Sequence, residues 1–166
     1  MKKMIAALVA ALLMVTMIVP AMAEIQLGQV VYAAHGTKSF AVITVAMEDG
    51  KIADAHIDEF QMLTAGEAVG VPNSEAMIPV EGQVLASKRV NAEMYSNNMK
   101  KAGSTVAINA NYDAIEAYAT GKTVAELEAE VAGKDAAAMI DTVAGCTLAD
   151  TLGYVNGILE AAKAVK

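Results

Sequence analysis

Cys146 is the only cysteine in the chain, which rules out an intramolecular disulfide and any two-cysteine redox motif. A lone cysteine is normally a buried small hydrophobe, the alternatives being a free thiol or an intermolecular bridge, and burial is the expectation here. Histidine is nearly as scarce. His35 and His56 are the only two, with no cysteine beside either and no His-x-x-x-His pair, so both are read as strand-face or turn residues rather than metal ligands. There is no Gly-x-Ser-x-Gly elbow and no identifiable base to activate Cys146 as a nucleophile, which leaves an independent hydrolase or transferase without support. Positive charge is also short, with 12 Lys and Arg against 19 Asp and Glu and a formal charge of −7. A chain this acidic gains nothing from approaching phosphate backbones, so nucleic-acid binding is excluded. No internal repeat or low-complexity segment interrupts the sequence.

The N-terminus reads Met1-Lys2-Lys3, an apolar run from Met4 to Val19, then Pro20 and Ala21-Met22-Ala23. A basic start, a hydrophobic stretch and a small-residue cleavage site predict a secretory signal peptide over residues 1–23, with the mature chain beginning at Glu24. The expected location is extracytoplasmic, secreted or periplasmic. Membrane contact follows only if the segment remains uncleaved as an anchor, and no cysteine stands after the apolar run to carry a lipid. All 19 acids lie beyond this segment while two of the lysines fall within it, so the remainder is more acidic than the whole. Residues 24–166 are enough for a single domain with its own core.

Three runs rich in valine, isoleucine and aromatics, residues 29–35, 39–47 and 51–58, predict strands. His35-Gly36-Thr37-Lys38 and Glu48-Asp49-Gly50-Lys51 between them are hairpin loops, because glycine takes positive φ without steric cost. Residues 60–82 carry Gly66, Gly70, Pro72, Pro79 and Gly82, too many breakers for one regular element, and read as a long loop with one short helical turn. It is a candidate lid or partner surface, with irregular packing as the alternative. Helices are expected over 86–101, from a cap at Asn109 or Asn111 through Tyr118, and after Thr123, which forms a capping box with Glu126. Leu148, Leu152, Val155, Leu159 and Ala162 share one face of a final amphipathic helix. The predicted class is α+β: a small antiparallel β-meander sheet packed against several helices, with a C-terminal amphipathic helix. Neighbouring acids such as Asp58-Glu59, or Glu126 with Glu130, read as solvated faces.

Asp141-Thr142-Val143-Ala144-Gly145-Cys146-Thr147 directly precedes that last helix. Thr147 offers a hydroxyl, Gly145 permits a turn that a side chain would obstruct, and an expected helix start at Thr147 would aim free amides and the positive end of a dipole at an anion. The plainer reading of the same residues is a threonine N-cap with Asp150 at N3.

The heptapeptide resembles the Asp-x-x-Ser/Thr-Gly-Ala-Thr acceptor motif of exported, covalently flavinylated FMN-binding domains, which are related to the flavinylated subunits of sodium-pumping quinone oxidoreductases. Val42-Ile43-Thr44-Val45 leading to Asp49-Gly50-Lys51-Ile52 is similar to that family's early hairpin. The segments Ser87-Lys88-Arg89 through Met99-Lys100-Lys101 and Tyr118-Ala119-Thr120-Gly121-Lys122-Thr123 also resemble parts of exported relatives. The resemblance implies FMN joined through its phosphate to Thr147, with Gly145 as the motif glycine and Asp141 as the acid recognised by a flavin transferase. Ala144 stands where the family has serine or threonine, and Cys146 where it has alanine. The implied role is electron transfer between a membrane redox complex, or an extracytoplasmic reductase, and an extracytoplasmic acceptor. The alternative is a flavin-free extracytoplasmic binding or interaction module on the same scaffold, using the 60–82 loop or an apolar groove beside the last helix.

Overall fold

The computed structural model describes residues 24–166, so the expected signal peptide at residues 1–23 lies outside the described residues. Four strands, β1 (Gln26–Tyr32), β2 (Ser39–Glu48), β3 (Lys51–Thr64) and β4 (Gln83–Ser87), form one antiparallel sheet in chain order. The β2–β3 hairpin turns at Asp49-Gly50, where both residues take positive φ, 50° and 75°, and Glu48 pairs with Lys51. Two consecutive left-handed residues match the right-handed twist of the flanking strands, and Asp-Gly adopts them at low cost. Past the turn the register shifts, with Met47 opposite Ile52 but Ala46 opposite Asp54. The extra residue, Ala53, lets both Ile52 and Ala55 face the core.

Strict alternation puts Ala41, Ile43, Val45 and Met47 of β2 into the core and leaves Val42, Thr44 and Ala46 on the other, more open face. The helices are α1 (Ser74–Met77), α2 (Ala92–Lys101), α3 (Ile108–Ala119), α4 (Val124–Val131), α5 (Ala136–Thr142) and α6 (Thr151–Lys163). α6 lies across β1 and β2, and α3 across β3. Their buried side chains, Tyr112 and Ile115 from α3 and Tyr154, Val155 and Ile158 from α6, fill the space over the sheet. Each such aliphatic contributes about 1.5–3 kcal/mol of transfer free energy. α6 approaches closely because glycines meet it: a Cβ on Gly157 would fall 2.3 Å from Ile43 Cδ1, and one on Gly28 of β1 would fall 2.0 Å from the Ala161 carbonyl oxygen. The architecture is α+β, a meander sheet against helices with a C-terminal helix, as the sequence predicts.

Several boundaries differ from expectation. β1 ends at Tyr32, so His35 sits in the β1–β2 connection rather than in a strand. β3 continues to Thr64 because Phe60–Thr64 pair with β4, which occupies residues expected to lead into a helix. Val84 and Ala86 alternate inward there, and helix begins only at Ala92. The N-cap of α3 is Ala107, so Asn109 and Asn111 lie inside its first turn. The Thr123–Glu126 capping box forms as expected. α5 is an addition to the expected helices; the Asp135 side chain caps it by accepting the Ala138 N–H at 2.9 Å. α6 starts at Thr151, with Asp150 as its N-cap, so Thr147 is not a helix cap. Residues 65–82 do contain a single short helix, α1. The segment lies along the outer edge of β4, the Val71 N–H donating to Leu85 O at 2.7 Å and Asn91 exchanging hydrogen bonds with Val69.

Candidate functional site

Thr147 lies in the connection between α5 and α6, exposed, two residues after Gly145, which takes φ 85°. A positive φ at that position suits glycine and disfavours any residue with a Cβ. The loop is fixed from below by Asn111: its Oδ1 accepts the Thr147 N–H at 2.7 Å and faces Thr147 Oγ1 at 3.3 Å, while its Nδ2 donates to the Val106 and Ala107 carbonyls. Asn111 is fully buried and all its polar atoms are used. Beyond Thr147, the N–H groups of Leu148, Ala149 and Asp150 donate to no acceptor among the described residues. Those amides run directly into the first turn of α6, whose own N–H groups lack intrahelical partners by geometry.

The other residues of the heptapeptide separate by role. Asp141 is exposed in the last turn of α5, and Ala144 is exposed at the following turn. Cys146 is buried and points inward, its Sγ 3.0 Å from Thr151 Oγ1, so the thiol acts as a packed small side chain, as expected. Asp141, Ala144, Gly145 and Thr147 therefore share one accessible stretch of chain, and Cys146 anchors it.

Beneath this loop is a group of residues that pattern reading of paired acids passes over. Glu59 of β3 is fully buried, yet four donors converge on it: Lys88 Nζ at 2.5 Å, Tyr112 OH and Tyr154 OH each at 2.7 Å on Oε2, and Ser39 Oγ at 2.7 Å on Oε1. Burial pushes the Glu59 carboxyl up; the Lys88 ammonium and the hydrogen bonds from Lys88, Tyr154 and Ser39 outweigh it and hold the group below the usual carboxylate range. The same environment pushes both tyrosines up, burial first, then for Tyr112 the adjacent Tyr154 and the Glu59 charge and for Tyr154 the Glu59 charge, so they stay protonated donors. Nothing reaches this centre from solvent, since Lys88 and Glu59 are 1% and 0% exposed. It is a fixing point for β2, β3, β4, α3 and α6.

Arg89 and Glu116 extend the β3 ladder beyond the end of β4. The Lys88 N–H still donates to Glu59 O at 2.8 Å. At Ile57, however, side chains replace a strand: Arg89 Nε donates to the carbonyl at 2.5 Å and Glu116 Oε1 accepts the N–H at 2.6 Å. Arg89 also pairs with Glu116 at 2.6 Å and with Asp113 at 3.0 Å. The backbone groups of Ile57 are thus satisfied past the point where β4 ends.

His35 and His56 are not brought together. His56 is exposed on β3, 3.9 Å from Glu116. His35 Nδ1 lies 3.1 Å from Asp150 Oδ2, which ties the β1–β2 connection to the start of α6. His35 also lines a cleft of about 310 Å³ with Gly36, Thr37, Lys38, Gln61 and Tyr95. Among the described residues no group of three or more His, Cys, Asp or Glu is arranged to hold a metal ion, and no helix is long and apolar enough to cross a membrane. No family model, curated protein or solved structure matches this chain.

Proposed function

We propose that the chain is an exported electron carrier with FMN attached through its phosphate to Thr147. One arrangement carries the reading: an exposed threonine, set behind a positive-φ glycine and immediately before amides that have no acceptor among the described residues and lead into a 13-residue helix. Thr147 would hold the group as a phosphoester, and amides without an acceptor leading into the positive end of the α6 dipole would suit its negative charge. The residues present fit the phosphate end of the cofactor.

The roles of the chain's own groups follow from their positions. Thr147 tethers. Forming the ester removes only the 3.3 Å hydroxyl contact with Asn111, while the 2.7 Å bond from the Thr147 N–H remains and keeps the loop in place. The Asp150 carboxylate, which would repel a phosphate, is engaged by His35. Exposure of Asp141, Ala144 and Thr147 leaves the stretch open to a flavin transferase. In the attachment step the Thr147 Oγ–P bond forms as the pyrophosphate bond of a flavin dinucleotide breaks. AMP departs with the electron pair, the hydroxyl proton passes to a base of the transferase, and no redox change occurs. Once bound, the flavin supplies the redox chemistry while the protein sets orientation and solvent access. The partners of such a carrier are a membrane redox complex or extracytoplasmic reductase and an extracytoplasmic acceptor.

Intact-mass spectrometry of the protein exported by its own host tests this directly. The expected mass is that of the mature chain plus one FMN less one water, with flavin absorbance that survives denaturation and disappears in Thr147→Ala. An unmodified mass for the native protein sinks the proposal.

A second reading rests on the Asn111 contact itself. Because the Thr147 amide and hydroxyl both face Asn111 Oδ1, Thr147 has a structural use without any cofactor, and the chain would then be a flavin-free binding module. Its mark is a thermal stability unmoved by added FMN and an unmodified mass.

A further inference from the structure

We propose that the cleft lined by His35, Gly36, Thr37, Lys38, Gln61 and Tyr95 receives the isoalloxazine ring of the flavin carried by Thr147, an inference that rests on the covalent reading above. The cleft and the tether are separate parts of the chain joined by one contact. His35 lines the cleft and its Nδ1 lies 3.1 Å from Asp150. Asp150 follows Thr147 by three residues, so their Cα atoms are at most about 11 Å apart even in a fully extended chain. The placement requires the ribityl chain and phosphate to carry the ring past Asp150 to the His35 end of the cleft. Larger clefts lie along α2, about 600 Å³, and beside Val106 and Ala107, about 350 Å³; the second is tied to Thr147 through Asn111, but neither is lined by an aromatic side chain to face a flavin ring.

Size and chemistry agree with a ring rather than a whole nucleotide. About 310 Å³ is at the lower end of ligand sites, which suits a tricyclic system whose phosphate is held elsewhere. Tyr95 supplies an aromatic wall. Lys88 Nζ sits 4.7 Å from the centroid of that ring and is itself buried, so it occupies the inner side of Tyr95 and leaves the outer side to the cleft. Gln61 Oε1 faces the Tyr95 hydroxyl at 3.5 Å, which leaves its Nε2 to donate to a carbonyl of the pyrimidine part of the ring. Lys38, exposed on the loop, brings positive charge to the rim, where it favours the more electron-rich reduced ring.

The test uses full-length protein exported in a host with an active flavin transferase, its loading first established by intact mass. Tyr95→Phe keeps the aromatic ring, gives up the 3.5 Å hydroxyl contact to Gln61, and removes the electron-donating phenol that quenches an excited flavin stacked on it. Flavin fluorescence is expected to rise several-fold. Lys38→Glu, on an exposed loop, is expected to lower the flavin reduction potential. A loaded protein whose fluorescence is unmoved by Tyr95→Phe, or whose potential is unmoved by Lys38→Glu, overturns the placement and leaves covalent attachment standing. An unmodified mass overturns both.

Discussion

Replacing Lys88 by methionine should invert what Glu59 contributes to the acid response of this protein. Lys88 Nζ is the one ammonium within reach of Glu59 among the described residues, 2.5 Å from Oε2, and both side chains are shut off from solvent. Solvent screening is therefore small, and removing one member of such a pair costs about 3–5 kcal/mol near neutral pH, a large share of the roughly 5–15 kcal/mol that holds a domain together. In the wild type the folded Glu59 carboxyl titrates below its ordinary 4.5. The stability it contributes is present above that value and lost as pH falls through the lowered one. Without Lys88, burial is opposed only by hydroxyl donors and pushes the folded carboxyl above 4.5. Stability then returns as pH falls through the raised value, by about 1.4 kcal/mol for each pH unit separating the raised pKa from the ordinary one. Glu116, pushed up by burial against the Ile57 N–H and Arg89, titrates alike in both proteins and cancels. Urea unfolding followed by far-UV circular dichroism, at pH values from about 7 down to about 4, gives the difference between the two. That difference should shrink toward acid. A gap that stays constant or widens refutes the assignment of Lys88 as the group that keeps Glu59 ionised.

Other outcomes follow from single contacts. Asn111→Ala strands the Thr147 N–H, while the Val106 and Ala107 carbonyls lose one donor each but keep Ser104 Oγ and the backbone N–H of residue 111; it should cost about 1–3 kcal/mol in denaturant unfolding, and a neutral result would mean the loop holds itself. Gly153→Ala places a Cβ 2.2 Å from the Ala34 carbonyl oxygen, a backbone atom that cannot rotate away, so a loss of about 1–3 kcal/mol with an unchanged m-value is expected. The buried Cys146 thiol should react with a maleimide only as fast as the fold opens, and immediate labelling of the native protein would contradict its inward position.

The parts of the fold that are legible in the sequence are those where one local rule decides. Asp49-Gly50 fixes a two-residue hairpin, and Thr123 with Glu126 fixes a helix start, whatever surrounds them. The errors occur where tertiary pairing overrides local preference. Phe60–Thr64 and Gln83–Ser87 are strands because each supplies the other's partner across intervening loop, and α5 rests on a single aspartate cap in an alanine run. The Glu59 centre is hidden by its neighbour, since Asp58-Glu59 looks like a hydrated pair. Pleat parity holds the signal nonetheless: Ala55, Ile57 and Glu59 point one way, as do Val84, Ala86 and Lys88, and all six are buried. One carboxylate and one ammonium at the inward ends of two apolar rows on paired strands predict a buried ion pair. The start of α6 is misplaced by pattern because Thr147 with Asp150 satisfies the capping signature, while the chain instead spends Thr147 on Asn111.

That exchange of partners connects the buried centre to the exposed loop. A buried ion pair is a weak source of stability, because its desolvation offsets most of the attraction and apolar replacements are often as stable. Its effect here is positional. Tyr112 and Tyr154 bind the same carboxylate oxygen, which fixes the N-terminal halves of α3 and α6 against one point of the sheet. Asn111, which holds Thr147, directly precedes Tyr112, and Asp150, which meets His35, is one helical turn before Tyr154. Thr147 is thus suspended between two helices whose starts are set by one buried carboxylate. Glu59→Gln should loosen the loop before it unfolds the domain, and a larger rise over wild type in hydrogen exchange at the Thr147 N–H, which Asn111 holds, than at the β2–β3 amides is the measurement that would show it.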